Sequence, residues 1–398
     1  MRAHLHHLRR DERGMSLVFV SVAFMALLSA TTLAIDVGMF MNSRSQAQNA
    51  ADAGALAGAV ALVYNDYDDR SATGPAVQSA INTARTNVVI GVAPSVTPPD
   101  VTFPKSPAGL NNRVRVEVLR TASRPDPGPV PTLIGGLFGV KTVDITAVAV
   151  AEASPATAET CVKPFTIPDK WIENQDKGGW TPDSTFDTLD AKGKALPNPD
   201  VYIPPWNPDT KQSNPDYTGY NMQRDKGVEI VLKADNNTKI TASFYNPWDL
   251  PGSSGASDYR ANIAGCNSAV LAPGEKMSPE PGNMVGPTAQ GMADRIALDP
   301  GARWEGGPGL SGCNCVQGSK YSQSPRVAII PVYDPVAFAD GKQHGKGITL
   351  INRGYIGVFI EDMKGSDVYG RITPIIGVDG GDGTAPAGAF PKLIRLVQ

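Results

Sequence analysis

The residue types in this chain that could do chemistry are few: four cysteines, four histidines and five tryptophans in 398 residues. Cys161, Cys266, Cys313 and Cys315 are candidates for disulfides or for metal ligation. Cys313-Asn314-Cys315 has too narrow a spacing for half of a structural zinc site, which needs four N/S ligands, so disulfides are favoured. A bridge between Cys313 and Cys315 would close a very tight ring. Cys161 and Cys266 are therefore expected each to pair with one of those two, tying residue 161 to the far half of the chain. His4, His6 and His7 lie on the N-terminal arm, which leaves His344, in the Gly/Lys loop Gly341 to Gly347, as the imidazole for any Ser-His-Asp or Cys-His site. Such a loop reads as a solvated turn.

Asp379-Gly380-Gly381-Asp382-Gly383 offers oxygens to a calcium ion. It does not fit the twelve-residue loop and lacks the distal bidentate Glu, so it reads as a turn. Gly135-Gly136 does not open a long helix after a strand, so no phosphate cradle is supported. Trp171, Trp180, Trp206, Trp248 and Trp304 could stack on a sugar, but their spacing puts them on no common face and core positions are expected. A net charge of -3, with no Lys/Arg cluster outside the N-terminal arm, excludes a nucleic-acid partner. We expect no catalytic residue, no metal and no cofactor, and hence no enzyme.

The elements that must position these residues begin with the stretch Gly14 to Val63. Met15 to Ile35 contains no charge, Pro or Gly, and at about 1.5 Å per residue it matches a hydrocarbon core roughly 30 Å thick. Beyond Asp36 the chain turns polar but meets no Pro, so the helix is expected to run on into water as a stalk. Arg2, Arg9, Arg10 and Arg13 precede the span, while Asp36, Asp52, Asp66, Asp68 and Asp69 follow it, which predicts a cytoplasmic N-terminus and an extracytoplasmic remainder. A cleaved secretory signal ending near Thr32-Leu33-Ala34 is the alternative. Against it, the apolar run exceeds the usual length of about 7 to 15 residues.

Along the stalk, Ala47, Ala50, Ala51, Gly54, Ala57, Gly58 and Ala61 fall at helical spacing and make one smooth face. Gly54-x-x-x-Gly58 is a pattern of close helix contact. The face is expected to pack on the adjoining sheet of the same chain or, alternatively, on a partner helix. Leu56, Val60 and Val63 form a bulkier stripe beside it.

We expect an α+β protein in four parts: a cytoplasmic arm (1–13), a transmembrane helix and stalk (14–64), a small α/β membrane-proximal domain (65–158) and a β-rich, sandwich-like distal domain with long loops (159–398). In the third part, Val77, Ala80, Ile81, Ala84 and Val88 predict an amphipathic helix. Arg113 to Val118 alternates as a strand, Pro131 to Phe138 reads as a short helix, and Thr142 to Ala151 is a second strand. Beyond Cys161, strands are expected at 227–233, 239–245, 326–332, 348–352, 355–363 and 371–376, with one helix at 288–298.

Arg13-Gly14, the apolar span, Ile35-Asp36-Val37-Gly38, and the run from Gln46 through Ala51-Asp52-Ala53-Gly54 to Ala59 resemble the TadE/TadG-like family of the Tad (tight adherence) system, which builds Flp pili. Ile35, Asp36, Gly38, Ala51 and Asp52 carry the motif. Val143 to Ala153, Met284 to Thr288 and Gly354 to Glu361 are similar to longer TadG-like members. The resemblance implies a single-pass protein of a bacterial inner membrane, working outside the cytoplasm to anchor or assemble an adhesive pilus, with other pilus-assembly or envelope proteins as partners. A surface adhesin or ligand-binding module without a pilus role is the alternative. The Asp-x-Ser-x-Ser loop of the von Willebrand A domains found in many TadG-like chains is missing from this sequence. Prepilin-type cleavage after Gly14 would put Phe19 where pilins carry Glu.

Overall fold

A computed structural model of the chain describes residues 13–64, 69–107, 109, 111–156, 158–190, 192–207, 214–234, 239–308, 310–321, 323–343, 348–378 and 390–397. His344 and Asp379 to Gly383, considered above, lie outside the described residues.

Helix α1 (Arg13–Tyr64) runs for 52 residues, roughly 78 Å, without interruption. Its first part, from Met15 to Ile35, is exposed apart from a half-buried Thr32; it is long and apolar enough to cross a membrane. Burial begins at Asp36 and then recurs through Ser43, Ala47, Ala50 and Ala51 to Val63. The change from exposed apolar segment to buried stalk is thus a change in what surrounds one continuous helix.

The stalk is one layer of a two-layer α/β unit. Beside it lies α2 (Pro75–Thr86), which starts on Pro at its first turn and buries Ala76, Val77, Ala80, Ile81 and Ala84. Under both lies a sheet of β1 (Val101–Thr102), β2 (Arg113–Arg120) and β5 (Ile145–Pro155); a small ribbon of β3 (Val130–Pro131) and β4 (Thr142–Val143) stands to one side. In β2 the alternation predicted from sequence holds: Val114, Val116 and Val118 are fully buried toward the helices and Arg113, Arg115 and Glu117 face outward. In β5 the inward residues are Ile145, Ala147, Ala149 and Ala151, small enough for the helical layer to lie close. The expected strand from Thr142 is split at Asp144, whose carboxylate accepts the amide of Ala122 instead of continuing the ladder.

The distal region contains β6 (Phe165–Pro168), α3 (Met222–Asp225), β7 (Glu229–Ala234), β8 (Phe244–Pro247), α4 (Gly255–Ala264), β9 (Lys276–Met277), α5 (Val285–Leu298), β10 (Arg303–Gly307), β11 (Leu310–Gln317), β12 (Val327–Tyr333), α6 (Pro335–Gln343), β13 (Leu350–Lys364), β14 (Asp367–Thr373), β15 (Ile375–Ile376) and β16 (Pro391–Val397). It is β-rich, as expected, but it is not a sandwich. Strands β12, β6, β8, β7, β14 and β13 follow one another around a ring that β13 closes onto β12. The closure depends on β13, which pairs with β12 through Asn352 to Phe359 and with β14 through Gly357 to Lys364. Two strands were expected here; a register shift beside Gly354 (φ 156°) keeps them as one. Where β13 pairs with both neighbours, Gly357 lies so close to β14 that a Cβ would strike the Thr373 carbonyl. The ring also holds two parallel pairs, β6 with β12 and β7 with β8. Its interior is filled by Phe165, Ile230, Leu232, Tyr245, Ile330, Val358 and their neighbours.

Strand β16 leaves the region 159–398 in which the sequence reading placed it. It joins the membrane-proximal sheet, antiparallel to β5 from Val150 to Pro155, and carries β15 with it as the parallel outer strand. Glu152 on β5 stands directly opposite Arg113 of β2 and Arg395 of β16, at 2.6 and 3.7 Å, so one carboxylate marks the register of three strands.

Candidate assembly site on the stalk

The described residues contain no group of three His, Cys, Asp or Glu side chains able to hold a metal. The residues singled out from the sequence are instead concentrated along α1, in two places.

The first is the point where the apolar span ends. Ile35 is exposed and Asp36, the next residue, is buried. Asp36 Oδ1 accepts the amide of Leu133 at 2.9 Å and Oδ2 accepts that of Gly135 at 2.6 Å, with the Ile134 amide between them at 3.3–3.4 Å. These amides open a 3-10 turn, Gly135–Phe138, so the carboxylate satisfies donors that the turn cannot bond internally. A Cβ on Gly135 would stand 3.1 Å from Asp36 Oδ2, which favours glycine there. The sequence flagged Asp36 as a motif residue and Gly135-Gly136 as a failed phosphate loop; only the fold brings them together. Gly38 has open space around its Cα, so the contacts of this chain do not require it.

The second place is the small-residue face. Ala47, Ala50, Ala51, Gly54, Gly58 and Ala61 are buried and Ala57 is half-buried. Their neighbour is α2 of the same chain. Cβ atoms built on Gly54 and Gly58 would meet Ala80 O and Ala84 Cβ at 3.0 Å, and Val114 Cγ1 and Ala80 Cβ at 2.8 and 3.2 Å, respectively. Gly54-x-x-x-Gly58 therefore crosses a matching small ladder, Ala76, Ala80 and Ala84, with β2 completing the seat. Of the two packings considered from sequence, the one within the chain is present, since the chain's own helix and sheet cover this face. Polar pegs fix the rotation of the rod: Gln48 bonds Asp52 and donates to the Val148 carbonyl at 3.1 Å, and Gln46 accepts the Ile90 amide at 2.8 Å. At the far end the Tyr64 hydroxyl accepts the amide of Ile376 in β15 at 3.2 Å, joining stalk to β15.

The cysteines pair as Cys161–Cys266 and Cys313–Cys315, which corrects the pairing expected from sequence. The tight ring forms because Asn314 takes a left-handed conformation (φ 49°) and brings the flanking Cα atoms to 5.2 Å. Cys161–Cys266 locks the end of α4, where buried Lys163 donates to the carbonyls of Asn262 and Gly265 at 2.9 and 2.6 Å and Arg295 donates to that of Ile263. Burial, and then the charge of Arg295, push Lys163 well below the usual lysine range, yet its amine is spent on helix carbonyls.

Other buried charges are likewise built into joints. Burial raises Asp169 to about 6 against the opposing bonds from the Tyr220 amide and the Tyr217 and Tyr202 hydroxyls. Burial alone would raise Asp225 too, but the bond from Arg224 and the charge of Lys170 hold it below the usual carboxylate range. Sequence periodicity carried no signal for these groups, since Asp169 and Lys170 lie in irregular chain and Arg224 and Asp225 in the single-turn helix α3. Of the tryptophans, Trp171 and Trp248 are core, Trp180 meets Trp171 and Tyr220 edge-on, and Trp304 leans on Phe359, so they form no common platform.

Residues 14–61 match a family model described as putative Flp pilus-assembly TadE/G-like. The match covers the apolar span and nearly all of the stalk. No curated protein and no solved structure matches the chain.

Proposed function

We propose that this protein is a membrane-anchored structural component of Flp-type pilus assembly, held by one helix in a bacterial inner membrane, with its N-terminus in the cytoplasm and everything beyond Asp36 outside. The observation that carries the reading is a coincidence of boundaries. The family match at 14–61 spans both the exposed apolar segment and the buried stalk of one helix. Arginines before the span and aspartates after it favour that orientation, and two disulfides suit an oxidising compartment. The role is architectural: the stalk's small-residue face is covered within the chain, so pilus or envelope partners meet the surface of the distal region.

Deleting the gene and scoring pili by electron microscopy together with attachment to surfaces tests this. Loss of both, restored by the full chain but not by a version with residues 14–35 replaced by a cleavable signal, is the expected result. Unchanged piliation rejects the proposal, and intact pili with lost attachment favour the adhesin alternative.

A further inference from the structure

We propose that the loop from Leu133 to Val140 is a second membrane contact, an apolar wedge seated in the outer interfacial layer of the same bilayer that α1 crosses. It rests on the membrane-anchor reading above. Leu133, Phe138 and Val140 are 69%, 65% and 52% exposed, a cluster of large apolar side chains that water does not favour. On α1, just past the Asp36 that holds the loop, Val37 and Met41, one turn apart, are also exposed.

Depth is set by Asp36. With Met15 to Ile35 filling a hydrocarbon core of about 30 Å, Asp36 stands at its edge, and Val37 to Met41 cross the headgroup layer. The loop is hydrogen-bonded directly to the Asp36 carboxylate, so it is held at that level. It is also closed on itself: Thr132 Oγ1 donates to the Val140 carbonyl at 2.7 Å, the Thr132 amide to Lys141 O at 3.0 Å, and the Val140 amide to Gly135 O at 3.0 Å. A turn with its backbone groups bonded internally can enter the interface without leaving them bare. Apolar and aromatic side chains at this depth reach about 5–10 Å into the headgroup–acyl boundary, and exposed Lys141 beside them suits lipid phosphates. The wedge fixes the tilt of the stalk against the membrane plane, a role that one spanning helix cannot fill alone.

The full chain in phosphatidylethanolamine/phosphatidylglycerol vesicles tests this, with a nitroxide placed by Leu133→Cys or Phe138→Cys. Met25→Cys is the reference inside the span, and Val270→Cys is the reference on the distal region. Collision of the nitroxide with oxygen relative to a water-soluble nickel chelate should be several-fold higher at 133 and 138 than at 270. Water-like values at both, with position 25 in lipid, overturn the wedge and leave the anchor standing; water-like values at 25 overturn both. A benzophenone amino acid replacing Phe138 gives a reading free of added thiols. Phospholipid adducts after illumination are expected, and their absence counts against the proposal.

Discussion

A carboxylate one residue beyond an apolar span can be satisfied by water or by backbone amides, and Asp36 takes amides. Asp36→Ala leaves those of Leu133 and Gly135 without an acceptor, at a cost of roughly 1–3 kcal/mol. Their hydrogen exchange should speed by about tenfold or more while that of β2 stays unchanged; unaltered exchange at 133 and 135 argues that the carboxylate does not hold the loop. Gly58 illustrates the opposite constraint, since even a Cβ there would lie 2.8 Å from Val114 Cγ1. Gly58→Leu should separate stalk from sheet and destabilise the proximal unit by about 1–3 kcal/mol or more. Thermal unfolding in detergent reads this, and a neutral result would mean that the rod is not docked as described.

Among the elements, β16 has the widest reach, because the last strand in the chain pairs with β5 inside the first sheet. Ending the chain after Phe390 uncovers the β5 edge and removes Arg395 from Glu152. Calorimetry should then show one transition resolving into two, as the proximal sheet loses its C-terminal strand; a single unshifted transition would show that β16 contributes little. The disulfides divide similarly. Cys161–Cys266 closes a separation of 105 residues and Cys313–Cys315 one of 2. Since a longer loop removes more unfolded-state entropy, the Cys161→Ala/Cys266→Ala pair should cost roughly 2–4 kcal/mol and the second pair markedly less. Peptide mapping without reduction checks the connectivity itself.

For the whole molecule, the joint between proximal sheet and barrel carries a pH dependence. Glu159 is buried where Ala158 bridges Val378, and its Oε1 lies 2.7 Å from where a Cβ on Gly377 would sit. Burial pushes its carboxyl up to about 9, only partly opposed by the Thr160 amide. Between its ordinary value of 4.5 and about 9, the folded chain holds a proton that the unfolded chain has released, so stability falls as pH rises through that window. The decline approaches about 1.4 kcal/mol per pH unit for one proton. Glu159→Gln, which cannot ionise, should flatten the unfolding midpoint between pH 5 and 9; a slope equal to the unmodified chain's would place the titrating group elsewhere.

The features that are local or periodic were legible in the order of the amino acids. The uncharged run from Met15 to Ile35, the valine alternation of β2, the Ala/Gly spacing of the stalk and the amphipathic repeat of α2 each follow from the side chains and one repeat length. Helices α4 and α6, with weak periodicity, were not legible, nor was β16, whose partner lies far back in the chain. Folding in three dimensions adds that the distal strands close into a barrel with parallel pairs, that Asp36 meets Leu133 and Gly135 across nearly a hundred residues, and that Cys313 pairs with Cys315. Each depends on long-range register or on one residue's backbone angle, such as that of Asn314, and neither is encoded in a short-range pattern.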